Sequence, residues 1–234
     1  MARSHTQDPL HTTPIPAGEG GEREALLDEY VLTHSDPEPE YLYRLWRATN
    51  LNLLHGRMAS GRLQGRLLKM LVRMVRPRSI IEVGTFSGYS ALCMAEGLEA
   101  GAHLYTFEVN DEIEPFTRPW IEGSPWSDRI TFTIGDAATE AAKLGLKHDM
   151  AFIDGDKRTY VETYEALLPL MNPGAIILAD NTLWDGHVTD PDYDRDPQTL
   201  GIRRFNDHIA ADSRVSRVML PLRDGLTLIR VNNQ

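Results

Sequence analysis

Asp180-Asn181-Thr182-Leu183-Trp184 and Asp154-Gly155-Asp156-Lys157 are the two stretches of this chain best suited to chemistry. Each follows an apolar run: Ala175–Ala179 leads into the first and Met150–Ile153 into the second. Such runs read as buried strands. Two neighbouring strands of a parallel sheet would present Asp154, Asp180 and Asn181 at their carboxyl ends, the edge where open α/β sheets bind ligands. Two carboxylates and an amide oxygen suit a hard divalent cation with oxygen ligands; Mg2+ is expected, with Mn2+ or Ca2+ as alternatives. Lys157, three residues past Asp154, is placed to serve as a base beside that cation. His148, His187 and His208 lack metal-ligand spacing and read as surface or satisfied core residues.

The elements that must hold these residues follow from periodicity. Helices are predicted over Glu22–Thr33, Glu38–Asn50 and from Gly61 to Arg76, the last with Leu63, Leu67, Leu68, Leu71, Val72 and Val75 on its apolar face. Strands are then predicted at Ser79–Val83, His103–Glu108, Ile130–Ile134, Met150–Asp154 and Ala175–Asp180. Helices fall between them at Tyr89–Leu98, Asp111–Ile121, Ala137–Leu144 and Thr159–Leu170. Pro115 and Pro119 should shorten or distort the second of these four. Strict alternation implies a parallel sheet with helices on both faces. After a polar loop, Gly186–Gln198, a helix over Leu200–Ala211 and two strands, Val215–Leu222 and Leu226–Val231, close the chain. Arg223-Asp224-Gly225 reads as a hairpin turn between them, so the sheet should end with an antiparallel strand.

The first strand runs into Glu82-Val83-Gly84-Thr85-Phe86-Ser87-Gly88-Tyr89-Ser90. Glycines between a strand and a helix let a ligand approach the backbone closely. Phe86 stands where a dinucleotide fingerprint has its second glycine, which disfavours a pyrophosphate. S-adenosylmethionine carries no phosphate, and its amino-acid end can use backbone groups near Gly84 and the Ser90 hydroxyl. Glu108 ends the second strand, where an acid can accept from both ribose hydroxyls. Asp136, after the third strand, either faces an adenine amino group or caps the next helix. Trp184 is the aromatic best placed to wall an acceptor, since it directly follows the metal-binding pair.

Bulk properties narrow the class. The chain has 234 residues, enough for one domain of ordinary size. A formal charge of −10 without a basic block argues against nucleic acid or an anionic membrane as partner. The single cysteine, Cys93, excludes an internal disulfide, fits a cytoplasmic protein, and reads as a small buried hydrophobe. No apolar run is long enough to span a bilayer. Met1–Gly21 reads as a flexible tail, with a flap over the active site as the alternative; residues 22–234 are expected to form one domain.

Taken together, these motifs resemble the metal-dependent O-methyltransferases of the catechol and caffeoyl-CoA type, in particular the small bacterial members. The resemblance covers about Glu24 to the C-terminus and rests on E-V-G-T-F-S-G-Y-S, Glu108, G-D-A at Gly135, F-I-D-G-D-K with Tyr160, D-N-T-L-W with Gly186, F-N at Phe205 and D-G-L at Asp224. It implies a Rossmann-like, seven-stranded, mostly parallel sheet with one C-terminal antiparallel strand and added N-terminal helices. It implies S-adenosylmethionine as cofactor, a catechol-like aromatic diol as acceptor, and a homodimer. In residue terms, Ser60, Glu82, Gly84, Thr85, Ser90, Glu108, Ala137 and Asp156 would line the cofactor site, and Asp154 borders it. Asp154, Asp180 and Asn181 would bind the metal, and Lys157 would be the general base. Asp185 falls at a substrate-contact position where plant members often carry Asn. A nicotinamide oxidoreductase on a similar sheet and a non-catalytic cofactor-binding scaffold are the competing readings.

Overall fold

The computed structural model describes residues 21–233. The chain divides into two compact units at Pro39 and Glu40. The first contains helix α1 (Gly21–Thr33), whose last turn is closed by His34, with Nδ1 2.7 Å from the Tyr30 carbonyl. The tail expected over Met1–Gly21 lies outside the described residues, except that Gly21 opens α1.

The second unit carries everything else. Its helices are α2 (Glu40–Asn52), α3 (Arg62–Val75), α4 (Tyr89–Gly97), α5 (Glu114–Glu122), α6 (Ala137–Lys143), α7 (Tyr160–Leu167) and α8 (Pro197–Ala211). Its strands are β1 (Ser79–Val83), β2 (His103–Glu108), β3 (Ile130–Ile134), β4 (His148–Ile153), β5 (Met171–Asp180), β6 (Val215–Leu220) and β7 (Leu226–Val231). They form one sheet in the order β3-β2-β1-β4-β5-β7-β6. Only β7 runs against its neighbours, inserted between β5 and β6. The expected seven-stranded, mostly parallel sheet with an antiparallel C-terminal strand is therefore present.

Alternation across the pleat explains why the central strands are apolar throughout. Ile80, Phe152 and Leu178 point into one core layer with Leu68, Val72 and Leu92. Ile81, Ile153 and Ile177 point into the other with Tyr160, Tyr164 and Phe205. Cys93 is fully buried in α4, and Trp46 packs against the first layer.

Several boundaries differ from the sequence reading. Strand β5 begins at Met171, because Pro173 and Gly174 are accommodated within it rather than ending it; the pairing with β4 shifts register there. Helix α8 begins at Pro197, since Asp196 caps it by accepting from Thr199 N at 2.7 Å and proline suits the first turn. Around the polar loop, Trp184–Thr189 is a kinked segment, non-helical at Asp185 and Gly186, and Pro191–Tyr193 forms a tight helical turn. In the hairpin, Arg223 and Gly225 take the positive φ, 50° and 89°, and Asp224 does not. Helix α3 buries Gln64, Gly65, Arg66, Leu68 and Val72, so its buried face is rotated from the predicted leucine stripe and includes polar residues.

Candidate active site

β4 and β5 lie side by side in parallel, with Ile153 opposite Ala179. The residues that follow, Asp154 and Asp180, are therefore brought to the same edge. Asp180 is 4% exposed. Its Oδ1 accepts from the Asn181 amide at 2.9 Å, and its Oδ2 accepts from Gln64 Nε2 at 2.7 Å. Burial pushes its pKa up to about 6, and the neighbouring Asp154 charge adds to the effect. Asn181 adopts a left-handed backbone (φ 57°), which Asn tolerates better than most residues, and its Nδ2 donates to Asp224 Oδ2 at 3.2 Å.

Lys157 is buried beside this pair. Its Nζ donates to Asp154 Oδ1 at 2.7 Å and to the Tyr160 hydroxyl at 2.8 Å. The Tyr160 hydroxyl in turn lies 3.0 Å from the Asp180 carbonyl and 3.2 Å from that of Ile153. Burial works to lower the Lys157 pKa, but Asp154 and Tyr160 outweigh it and raise the value. The depression that a base requires is thus opposed chiefly by the Asp154 carboxylate. The donor set fits a hard divalent cation on the structure's own terms. Two carboxylates repel each other at a buried edge, a positive charge would relieve that repulsion, and the Asn181 amide turns its nitrogen toward Asp224.

A narrow cleft opens next to Asp154, lined by Ser60, Gly84, Thr85, Phe86 and Ser90. Gly84 (φ 93°) sits where a Cβ would run into the Asp154 carbonyl, so the ends of β1 and β4 approach closely only because glycine is there. Glu82 lies beneath the cleft and is fully buried. It accepts from Ser90 Oγ at 2.5 Å and Thr106 Oγ1 at 2.6 Å, and Thr106 Oγ1 is 2.6 Å from Thr85 Oγ1. Burial drives the Glu82 pKa up to about 8. Glu108, at the end of β2, accepts from Phe86 N and Asn110 N, both at 2.9 Å. A carboxylate has about four acceptor positions, so two remain for a ligand.

The residue range 32–232 matches the family model described as O-methyltransferase. The chain belongs to the O-methyltransferase family. It is therefore an enzyme that moves a methyl group onto oxygen, which sets aside the nicotinamide and scaffold readings. A caffeoyl-CoA O-methyltransferase from Stellaria longipes is 31% identical over 216 residues, covering 87% of this chain and 89% of the relative. Among solved structures, the O-methyltransferase from Bacillus cereus in complex with SAH superimposes with a TM-score of 0.81 at 31% identity, over 88% of this chain and 97% of that one. The O-methyltransferase TomG from Streptomyces achromogenes, in complex with SAM, gives 0.83 at 29% identity over 91% and 98%.

Within this family frame, the cleft gathers Ser60, Gly84, Thr85, Ser90 and Asp154, and the edge formed by the ends of β4 and β5 gathers Asp154, Asp180, Asn181 and Lys157. Five further sequence candidates belong neither to the cleft lining nor to that edge. Asp136 caps α6, accepting from Thr139 N at 3.2 Å and Thr139 Oγ1 at 3.0 Å, and Ala137 is buried behind it. Asp156 is exposed and paired with Arg158 at 2.5 Å. Trp184 is half-buried, with its ring centre 6.0 Å from Lys157 Nζ, and exposed Asp185 follows it. Trp184, Asp185 and Gly186 all have positive φ (47°, 53° and 82°). That conformation is costly for a bulky side chain and tends to mark functional loops.

Gln64, Thr106 and the Asp224 side chain carry contacts that the sequence reading did not assign. Asp224 entered the sequence reading only through the hairpin turn and the D-G-L motif, and Gln64 and Thr106 left no signal. Among the described residues one other cluster has metal-ligand types, Glu165, His208 and Asp212, with ligand atoms within 4.8 Å of each other. Arg214 bridges both of its carboxylates, so a guanidinium already supplies the positive charge there. A hollow of about 260 Å³ lined by Pro169, Met171, Arg214 and Val231 lies at that same opposite edge of the sheet, away from every residue named for the reaction. No helix among the described residues is long and apolar enough to cross a membrane.

Proposed function

We propose that the chain is an S-adenosylmethionine-dependent, divalent-cation-dependent O-methyltransferase acting on one hydroxyl of a catechol-like aromatic diol. One observation carries the reading: the convergence of Asp154, Asp180, Asn181 and Lys157 at the ends of adjacent strands, directly beside the Ser60–Gly84–Ser90 cleft. S-adenosylmethionine supplies an electrophilic sulfonium methyl. The cleft's polar lining, Gly84, Ser90 and Ser60, suits the amino-acid end of such a molecule, while Glu108 offers its open acceptor positions to ribose hydroxyls. A divalent cation held by Asp154, Asp180 and Asn181 supplies Lewis acidity, which lowers the pKa of a nearby hydroxyl.

Lys157 takes the acceptor's proton. Its raised pKa is set by Asp154, so any positive charge that draws on the Asp154 carboxylate weakens the hold on the ammonium and moves Lys157 toward the neutral form a base needs. Trp184 walls the acceptor ring and keeps water away from the proton transfer. The remaining acceleration comes from alignment of oxygen, methyl and sulfur, for which about 7–11 kcal/mol is available in well-oriented reactions. The test is methyl transfer to a panel of vicinal diols, free and thioester-linked, before and after thorough chelation. Loss of turnover with chelator and recovery with Mg2+ is expected; undiminished turnover in the metal-stripped enzyme excludes cation dependence.

A further inference from the structure

Gln64 and the turn between β6 and β7 have no part in the reaction above, yet both touch the residues assigned to the cation. Gln64, on α3, is 1% exposed and hydrogen-bonded at both ends of its amide. Its Nε2 donates to Asp180 Oδ2 at 2.7 Å, and its Oε1 accepts from Arg223 Nη1 at 2.9 Å. Next to it, Asp224 Oδ2 accepts from Asn181 Nδ2 at 3.2 Å. The same turn is laced to the segment after Asn181 through its backbone. Thr182 N donates to the Gly225 carbonyl at 3.1 Å, and Leu183 N and Trp184 N donate to the Asp224 carbonyl at 2.7 and 3.0 Å.

The chemistry of these groups fixes which way each amide faces. A guanidinium has donors and no acceptor, so Arg223 admits only the oxygen of Gln64, and the nitrogen must face Asp180. A carboxylate offers acceptors, so Asp224 takes the nitrogen of Asn181, and the amide oxygen is turned away from the hairpin. An Asn that presented its NH2 to a cation would be no ligand at all. We propose that Arg223, Gln64 and Asp224 are positioning residues that fix the orientation of Asp180 and Asn181 and so set the affinity and geometry of the cation site. The proposal rests on the cation reading above. It assigns the hairpin, supplied by the last strands of the chain, the role of a clamp on two residues at the end of β5.

The decisive experiment measures Mn2+ binding to the full chain by the electron paramagnetic resonance signal of the free ion, without turnover. Gln64→Leu and Asp224→Ala should each weaken the Mn2+ Kd about ten- to a hundredfold, the range found when partners of metal ligands are removed. Asp224→Asn keeps an acceptor and should restore most of the loss. Arg223→Ala, at an exposed position, frees the Gln64 amide to flip and should weaken binding to a smaller extent; it carries the test if Gln64→Leu fails to fold. Metal-free binding of S-adenosylhomocysteine should stay at the wild-type value, and the loss of metal-free melting temperature should be small beside the loss of Mn2+ affinity. Wild-type Mn2+ affinity in folded Gln64→Leu, Asp224→Ala and Arg223→Ala overturns the proposal. So does a loss of Mn2+ affinity that tracks an equal loss of metal-free stability. If wild type and Asp180→Asn bind Mn2+ alike, the cation reading itself fails, a comparison that involves none of the three positioning residues.

Discussion

Lys157 and Glu82 are the two buried ionisable side chains on which the chemistry most depends, and their environments push them in opposite ways. Lys157 is kept charged by Asp154 and Tyr160. Lys157→Ala should lower kcat by about 10²–10⁴-fold, the usual contribution of a positioned acid or base, with cofactor affinity nearly unchanged. Parallel measurement of kcat and of S-adenosylhomocysteine binding checks this; unchanged kcat would place the base elsewhere. Glu82 is held neutral by burial, with a pKa of about 8 against an ordinary 4.5. The folded state then holds a proton that the unfolded chain releases above about pH 4.5. That contribution to stability is complete below the unfolded value and is lost as pH climbs through about 8. The wild-type melting temperature should therefore fall between pH 5 and pH 8, and Glu82→Gln should flatten that slope. At this scale the sequence was legible wherever a residue acts at the end of its own strand, as with Asp154, Asp180 and Glu108. It was silent on Gln64, which meets Asp180 across 116 residues of chain, because no local pattern encodes so distant a contact.

Elements aim these residues through close packing. Helix α8 lies against the turn that carries Lys157, and Gly201 makes this possible: a Cβ there would collide with the Lys157 carbonyl and the Arg158 Cα. Gly201→Ala should cost about 1–3 kcal/mol, as overpacked sites do. It should also reduce kcat by displacing Lys157, while Mn2+ affinity changes less. Denaturant unfolding and a kcat measurement read the two effects; a fully active variant of wild-type stability would contradict this packing. The sequence placed α8 only from Leu200, three residues late, although Asp196, Pro197 and Thr199 form a recognisable start. It placed β5 from Ala175, because Pro173 and Gly174 look like a turn and are instead tolerated where the pairing with β4 slips. The β5 misreading arises from tertiary pairing that overrides a local breaker signal, whereas the α8 boundary was written locally, in the Asp196 cap and the proline that follows it.

On the scale of the molecule, function follows from strand order. With β1 between β2 and β4, successive connections leave the sheet on opposite sides, and the crevice at that reversal is where the cleft lies. Alternating periodicity was enough to predict a parallel sheet and its antiparallel close. The insertion of β7 between β5 and β6 was not legible, because both orders satisfy the same hairpin; yet this insertion is what brings Asp224 onto Asn181. The most direct test of the account is an anomalous difference map from crystals soaked with Mn2+ and S-adenosylhomocysteine. The account predicts a peak among the carboxylate oxygens of Asp154 and Asp180 and the amide oxygen of Asn181, next to the bound nucleoside. A map with no peak there, or with Mn2+ only at Glu165, His208 and Asp212, would contradict it.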